Sequence, residues 1–92
     1  MKSQHNYEVT VQVNGNTGAV LAAYFRVRRG NSAETKEFAG GKLVVDYDKK
    51  GQLLGIEVLA PCKRSDITKI LTDEPEVKKF VRQSAPRELI SA

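Results

Sequence analysis

Residues 42–59 read KLVVDYDKKGQLLGIEVL and carry the clearest structural signal in this sequence. Two runs rich in Val, Leu and Ile flank Asp48-Lys49-Lys50-Gly51, which has the composition of a tight turn. Aspartate at the first position and glycine at the fourth favour a type I turn. Two β-forming runs joined by such a turn predict a β-hairpin.

The hairpin has two candidate registers. In the first, Asp48 faces Gly51 across the turn. Lys42 then faces Glu57, and one face of the hairpin is wholly apolar, formed by Leu43, Val45, Tyr47, Leu54, Ile56 and Val58. In the second, a glycine bulge at Gly51 shifts the pairing by one residue and places Leu43 opposite Glu57. Because a one-residue slip turns every side chain to the other face, we favour the first register.

The residues before the hairpin predict three further strands. Residues 9–13 alternate valine with polar residues, which indicates a half-buried strand. Residues 19–28 continue as a second strand, and residues 33–38 predict a short edge strand. We expect residues 1–7 to be a flexible start.

Beyond Pro61 the apolar period lengthens from two residues to about 3.6, which indicates helices. Ser65 or Asp66 can cap a first short helix. Asp73-Glu74-Pro75-Glu76 resembles a capping box with an early proline and predicts the start of a second helix. Residues 87–90 are expected to add a last helical turn. The side chains expected to pack on the sheet are Ile67, Ile70, Leu71, Val77, Phe80 and Val81.

Together these elements predict one α+β domain over residues 1–92. It consists of an antiparallel β-meander of four or five strands within residues 8–59, followed by two or three short C-terminal helices within residues 65–91, packed on one face. A composition of 40% hydrophobic and 28% charged residues is typical of a globular protein.

Several classes of protein are disfavoured by the sequence. The longest apolar run, residues 19–25, is far shorter than the roughly 20 residues that a transmembrane helix needs. The first residues are polar and lack the core of a signal peptide. The single cysteine, Cys62, excludes an intramolecular disulfide. We therefore expect a cytoplasmic protein without a membrane partner.

The hairpin also carries a motif with fixed spacing. Val44-Val45-Asp46-Tyr47-Asp48, then Gly51, then the Leu-Leu-Gly-Ile-Glu-Val-Leu run of residues 53–59 resemble the hallmark of domain-of-unknown-function family 2283. Residues 23–27 are similar to that family's tyrosine-containing strand, so the resemblance extends over about residues 8–68. The resemblance implies no established activity. It does imply a small toxin-like protein from a neighbouring gene as partner, and hence an antitoxin-like or regulatory role.

No catalytic constellation is apparent, and we expect no enzyme activity, no cofactor and no metal site. Asp46, Asp48 and Glu57 do not form a facing pair of carboxylates in either register. Basic neighbours could lower the pKa of the Cys62 thiol, but a nucleophile also needs a base. The only histidine, His5, lies in the expected flexible start, and one cysteine with one histidine cannot complete a zinc shell.

The leading functional hypothesis is a non-catalytic protein-interaction module. Its partner is expected to be a second copy of the chain, a small protein from a neighbouring gene, or both. The edge of the strand at residues 33–38 could also accept a strand from another chain. The main interaction surface is expected on the sheet face opposite the helices, formed by Val44, Asp46, Leu53, Glu57 and Leu59.

The alternative hypothesis is nucleic-acid binding by a basic strip. Tyr24 could stack on a base while neighbouring cations contact phosphates. The strip consists of Tyr24, Arg26, Arg28 and Arg29. The net charge of +4 is small for a nucleic-acid-binding protein and is spread evenly along the chain, which favours the protein-interaction hypothesis.

Overall fold

The computed structural model describes residues 7–92 of the chain. Its elements are β1 (Glu8–Val13), β2 (Val20–Arg26), β3 (Glu34–Phe38), a 3-10 turn (Ala39–Gly41), β4 (Leu43–Tyr47), β5 (Leu53–Leu59), β6 (Cys62–Lys63), α1 (Arg64–Ile70), α2 (Pro75–Ser84) and β7 (Ile90–Ser91). The expected flexible start falls outside the described residues except for Tyr7. No helix within residues 7–92 is long and apolar enough to cross a bilayer.

The first five strands form one antiparallel sheet in the order β1-β2-β5-β4-β3. The α+β class, the antiparallel sheet and the two C-terminal helices are therefore confirmed, whereas the sequential meander is wrong. β5 inserts between β2 and β4 and leaves β1 and β3 at the edges. The physical reason is the composition of β5, in which five of seven residues are buried. Such a strand is best placed at the centre, where both of its backbone edges are paired.

The β4–β5 hairpin contains two irregularities, so neither predicted register is correct. Gly51 has a φ of 80°, and its N–H donates to the carbonyl oxygen of Asp48 at 3.0 Å. This is the bulged form of the turn, and it shifts the pairing by one residue. A second shift lies between Asp46 and Tyr47, which makes Leu54 an extra residue on β5.

The two shifts cancel in their effect on the faces. Leu43 pairs with Val58 and Val45 pairs with Ile56, and all four side chains lie in the core. The predicted apolar face of β4 is therefore preserved. Near the turn, however, Leu53 rather than Leu54 joins the core cluster. Leu53 is only 4% exposed, which corrects its assignment to the interaction surface. Leu54 is buried too, beside the loop at Gly30.

Helices α1 and α2 cover one face of the sheet and close the core. The buried cluster consists of Ala23, Phe25, Val27, Leu43, Val45, Leu53, Ile56, Val58 and Cys62 together with Ile67, Leu71, Val77, Val81 and Leu89. Four of the six helical residues predicted to pack on the sheet are in this cluster, while Ile70 and Phe80 are only partly buried against it. The Phe80 ring makes an edge contact with Phe25, with ring centroids 5.8 Å apart.

The ends of the helices differ from the sequence expectation. Pro75 begins α2 as predicted, but no side-chain capping bond forms at either helix N-terminus. Ser65 and Asp66 lie inside α1, because the chain enters that helix directly from β6. The expected helical turn at residues 87–90 is instead a turn followed by β7, which pairs in parallel with β6. A two-residue strand is too short to leave a periodic signal in the sequence.

The core position of Leu53 can be tested against another leucine of β5 that lies on the opposite face of the sheet. Leu53→Ala should lower the free energy of unfolding by about 2–5 kcal/mol, because it leaves a cavity in a closed core. Leu59→Ala is the matched control, since Leu59 is half-buried on the helix-free face and should cost clearly less. Urea denaturation of both variants provides the measurement. Equal losses would contradict the observed hairpin register.

Candidate interaction surfaces

The sheet face opposite the helices, called here the open face, is mostly polar. Its side chains form two cross-strand rows, Glu8–Arg26–Gly55–Asp46–Thr35 and Thr10–Tyr24–Glu57–Val44–Glu37. Four of the five residues predicted for the interaction surface lie on this face and are half-buried: Val44, Asp46, Glu57 and Leu59. The fifth, Leu53, belongs to the core.

A hydrogen-bonded bridge crosses the open face. The Tyr24 hydroxyl donates to Oδ2 of Asp46 at 3.0 Å, and the Thr35 hydroxyl donates to Oδ1 of the same carboxylate at 2.7 Å. Since Tyr24 lies on β2, Asp46 on β4 and Thr35 on β3, the bridge ties together strands on both sides of β5. Both oxygens of the carboxylate are thereby occupied by protein donors.

Gly55 makes this bridge possible. Gly55 lies on β5 between Arg26 and Asp46, and the Tyr24 ring leans directly over it. A Cβ atom at this position would overlap the hydroxyl and the ring of Tyr24. The glycine is therefore required by a close approach across the sheet and not by its own backbone angles.

The electrostatics of the bridge favour a structural role. Burial raises the pKa of Tyr24 to about 12, and the hydrogen bond to Asp46 acts in the same direction. A phenol with this pKa stays protonated at neutral pH, so it donates a hydrogen bond and does not act as a base. The Arg26 guanidinium lies 5.9 Å from the centre of the Tyr24 ring, which is a cation–π distance.

The basic strip expected for nucleic-acid binding is not assembled in the fold. Tyr24 and Arg26 contact each other on the open face, as described above. Arg28 instead directs Nη1 to the carbonyl oxygen of Leu53 at 2.5 Å. Arg29 is exposed in the loop after β2. The structure thus joins two of the four residues, and the Tyr24 hydroxyl is already bound to a carboxylate.

Strand β1 forms a second surface, which the sequence pattern alone does not reveal. Val9, Val11 and Val13 are 39%, 40% and 53% exposed, and Leu21 on β2 is 49% exposed. Val9 lies opposite Phe25, which is a core residue. The valines therefore extend the apolar face of the sheet by one strand beyond the cover of the helices. We call Val9, Val11, Val13 and Leu21 the edge patch.

The backbone of β1 is also available at this edge. The N–H of Val27 donates to the carbonyl oxygen of Leu54, so the odd-numbered residues of β2 bond to β5. In an antiparallel ladder successive residues point to opposite sides, so the even-numbered residues of β2 bond to β1. The N–H and C=O groups of Val9 and Val11 consequently point out of the free edge of the sheet.

The opposite edge of the sheet differs from β1 in charge. Strand β3 carries Glu34, Lys36 and Glu37 among its five residues, whereas β1 carries only Glu8. Charged side chains on an edge strand disfavour the addition of another strand. Of the two edges, β1 is therefore better suited to pairing than the strand at residues 33–38 named from the sequence.

Cys62 does not contribute a reactive site. Its side chain is 1% exposed and packs in the core. Burial raises the pKa of the Cys62 thiol, and the carboxylate of Asp66 acts in the same direction. Within residues 7–92, no group of three His, Cys, Asp or Glu side chains is arranged to hold a metal ion.

Comparison with known proteins finds a family model that is similar to the central strands of the sheet. Residues 22–60 match the model of the family described as protein of unknown function, DUF2283. The resemblance seen in the hairpin is thereby confirmed, over a narrower range than expected. The match contains Tyr24, Asp46 and Gly55 but neither β1 nor the two helices. No curated protein and no solved structure matches the chain.

The bridge over Gly55 predicts a rescue experiment. Gly55→Ala should lower the free energy of unfolding by about 1–3 kcal/mol, because the new methyl group displaces the Tyr24 ring and breaks its bond to Asp46. In a Tyr24→Ala background the same substitution should cost little, since the ring is absent. A double-mutant cycle by urea denaturation measures the coupling. Equal costs in both backgrounds would show that the ring does not set the requirement for glycine.

The raised pKa of Tyr24 predicts a specific alkaline transition. Because burial, together with the hydrogen bond to Asp46, raises the folded pKa of Tyr24 to about 12 from the ordinary 10.0, the protonated Tyr24 contributes stability that is fully present below pH 10. That stability is lost as the pH rises from 10 towards 12. Tyr24→Phe should therefore lose less stability than the wild type over this interval. Urea midpoints across the interval, with tyrosinate absorbance to follow ionisation, provide the measurement, and identical pH profiles would contradict the assignment.

Proposed function

We propose that this protein is a non-catalytic interaction module that binds another polypeptide by strand addition at β1. One observation carries the proposal: Val9 and Val11 expose apolar side chains and also direct their free backbone groups out of the sheet. An added strand would supply hydrogen bonds to the backbone and cover the side chains at the same time. No other surface described above combines these two properties.

The first partner to consider is a second copy of the chain. Two β1 strands can pair antiparallel about a two-fold axis with Val11 opposite its own copy. Val9 would then lie opposite Val13, and the valines of both copies would form one continuous apolar stripe. Glu8 would lie opposite Asn14, so no like charges would meet across the new ladder. The sequence of β1 is thus compatible with pairing to itself.

The open face supports this assignment indirectly. The polar groups of Tyr24 and Asp46 are already satisfied within the sheet. Leu53, which was expected to add apolar surface there, is buried in the core. A small partner protein of the kind implied by the family resemblance would compete for the same β1 edge if it offered a strand. An antitoxin-like or regulatory role would then consist of capturing that strand.

The proposal predicts different effects of two lysines placed on adjacent residues. Val11→Lys should weaken self-association by at least about tenfold, or about 1.4 kcal/mol, because it places two charges in the apolar stripe. Thr10→Lys adds the same charge on the open face and should leave association unchanged. Sedimentation velocity at increasing protein concentration provides the measurement.

Both variants should unfold at nearly the wild-type temperature, since both positions are exposed. If the wild type is strictly monomeric, the same pair of variants is tested against the product of a neighbouring gene. Retained binding by Val11→Lys in that assay would rule out strand addition at β1.

A further inference from the structure

The packing of α1, α2 and the C-terminal segment creates a cleft of about 420 Å³. Arg64 and Thr68 of α1 line one side, Lys78 and Arg82 of α2 line the other, and Arg87 follows α2. Its remaining lining is apolar and includes Ile67, Ala85, Pro86 and Ile90. Among the described residues, no carboxylate lines the cleft. The four cations come from α1, α2 and the segment after α2, and these three parts of the chain meet because the two helices pack together.

A second depression continues the cleft along the outer side of α2. It has a volume of about 510 Å³ and is lined by Pro75, Lys78, Lys79, Arg82 and Gln83. Because Lys78 and Arg82 line both depressions, the two lie side by side on α2, and we call them together the basic groove. Its five cations, including Lys79, are one third of the 15 Lys and Arg residues of the chain. The fold thus brings together cations that lie apart in the sequence, without a carboxylate among the described residues that line the two depressions.

The fold itself does not account for this arrangement. Lys78 and Arg82 lie four residues apart on one helix, where like charges repel and lower helix stability. Among residues 7–92, none of Arg64, Lys78, Arg82 and Arg87 forms an ion pair with a carboxylate. A groove walled by charges of one sign raises the local concentration of oppositely charged ligands. An external anion would relieve the repulsion that the fold leaves uncompensated.

The shape and lining of the groove indicate the class of anion. Guanidinium groups bind phosphate through paired hydrogen bonds, and lysine adds point charge. Two adjacent depressions that share two cations provide room for successive phosphates, which favours a polymer over a single small anion. Within residues 7–92, no aromatic side chain lines either depression, so these residues offer no stacking that could select bases. We propose that the basic groove binds the phosphate backbone of nucleic acid without base specificity.

This site is separate from the strip that the sequence suggested. The basic groove lies on the helices, whereas Tyr24 and Arg26 lie on the open face of the sheet. It is also independent of strand addition, since β1 contributes no residue to it. Binding at one site can therefore be lost without loss at the other.

The test measures anisotropy of labelled single- and double-stranded oligonucleotides of mixed sequence at increasing salt. We expect binding at low salt whose affinity falls steeply, as the release of counterions requires. The double variant Arg64→Gln/Arg82→Gln should bind at least about tenfold more weakly and lower the salt slope by about 1 for each cation removed. The matched control is Lys49→Gln/Lys50→Gln, which removes the same charge from the hairpin turn and should bind as the wild type does.

Three outcomes would overturn the proposal. The first is no binding at low salt, and the second is an equal loss in the control variant. The third is displacement of the oligonucleotide by inorganic phosphate at the same concentration of phosphate groups, which would assign the groove to a small anion. Thermal unfolding checks that each variant is folded, and Lys79→Gln/Arg87→Gln is a second pair for the same comparison. Loss of binding in either groove pair, with the control unchanged, supports the proposal.

Discussion

The burial of β5 is the constraint on which the rest of the structure depends. Leu53, Leu54, Gly55, Ile56 and Val58 are all withdrawn from water, so this strand needs a neighbour on each edge and cover on each face. The edges are filled by β2 and β4, and one face is filled by the helices. On the other face the Tyr24 ring covers Gly55 and is fixed by Asp46. The order of the strands, the placement of the helices and the polar bridge thus all serve to cover the apolar strand β5.

The sequence correctly predicts which side of most elements faces the core. It does not predict which strands lie next to each other in the sheet. Alternation of apolar residues identifies the inward face of β4, and the longer period after Pro61 identifies two helices. Periodicity contains no information on which strands lie side by side, so the insertion of β5 between β2 and β4 is not visible in it. The extra residue of the hairpin is equally hidden, because Leu53 and Leu54 are both apolar and either could face the core.

The candidate surfaces depend on contacts between distant parts of the chain, which explains why sequence reasoning placed them elsewhere. The valines of β1 have the pattern of a half-buried strand, and only the limited reach of the helices leaves them exposed. The bridge from Tyr24 to Asp46 requires the strand order that the pattern does not give. The cations at Arg64, Lys78 and Arg87 look like separate solvated positions until α1 and α2 bring them to one groove.

The unequal edges of the sheet also determine how far an assembly could grow. If two copies join through β1, the two outer edges of the joined sheet, within residues 7–92, are the two copies of β3. Each carries Glu34, Lys36 and Glu37, whose charges oppose further addition. The result would be a closed ten-stranded sheet and not an open fibre. The reason is that the β1 edge can pair with another strand, whereas the charged β3 edge disfavours such pairing. The charges on β3 would then disfavour the addition of further strands and so protect concentrated solutions of the protein from cross-β aggregation.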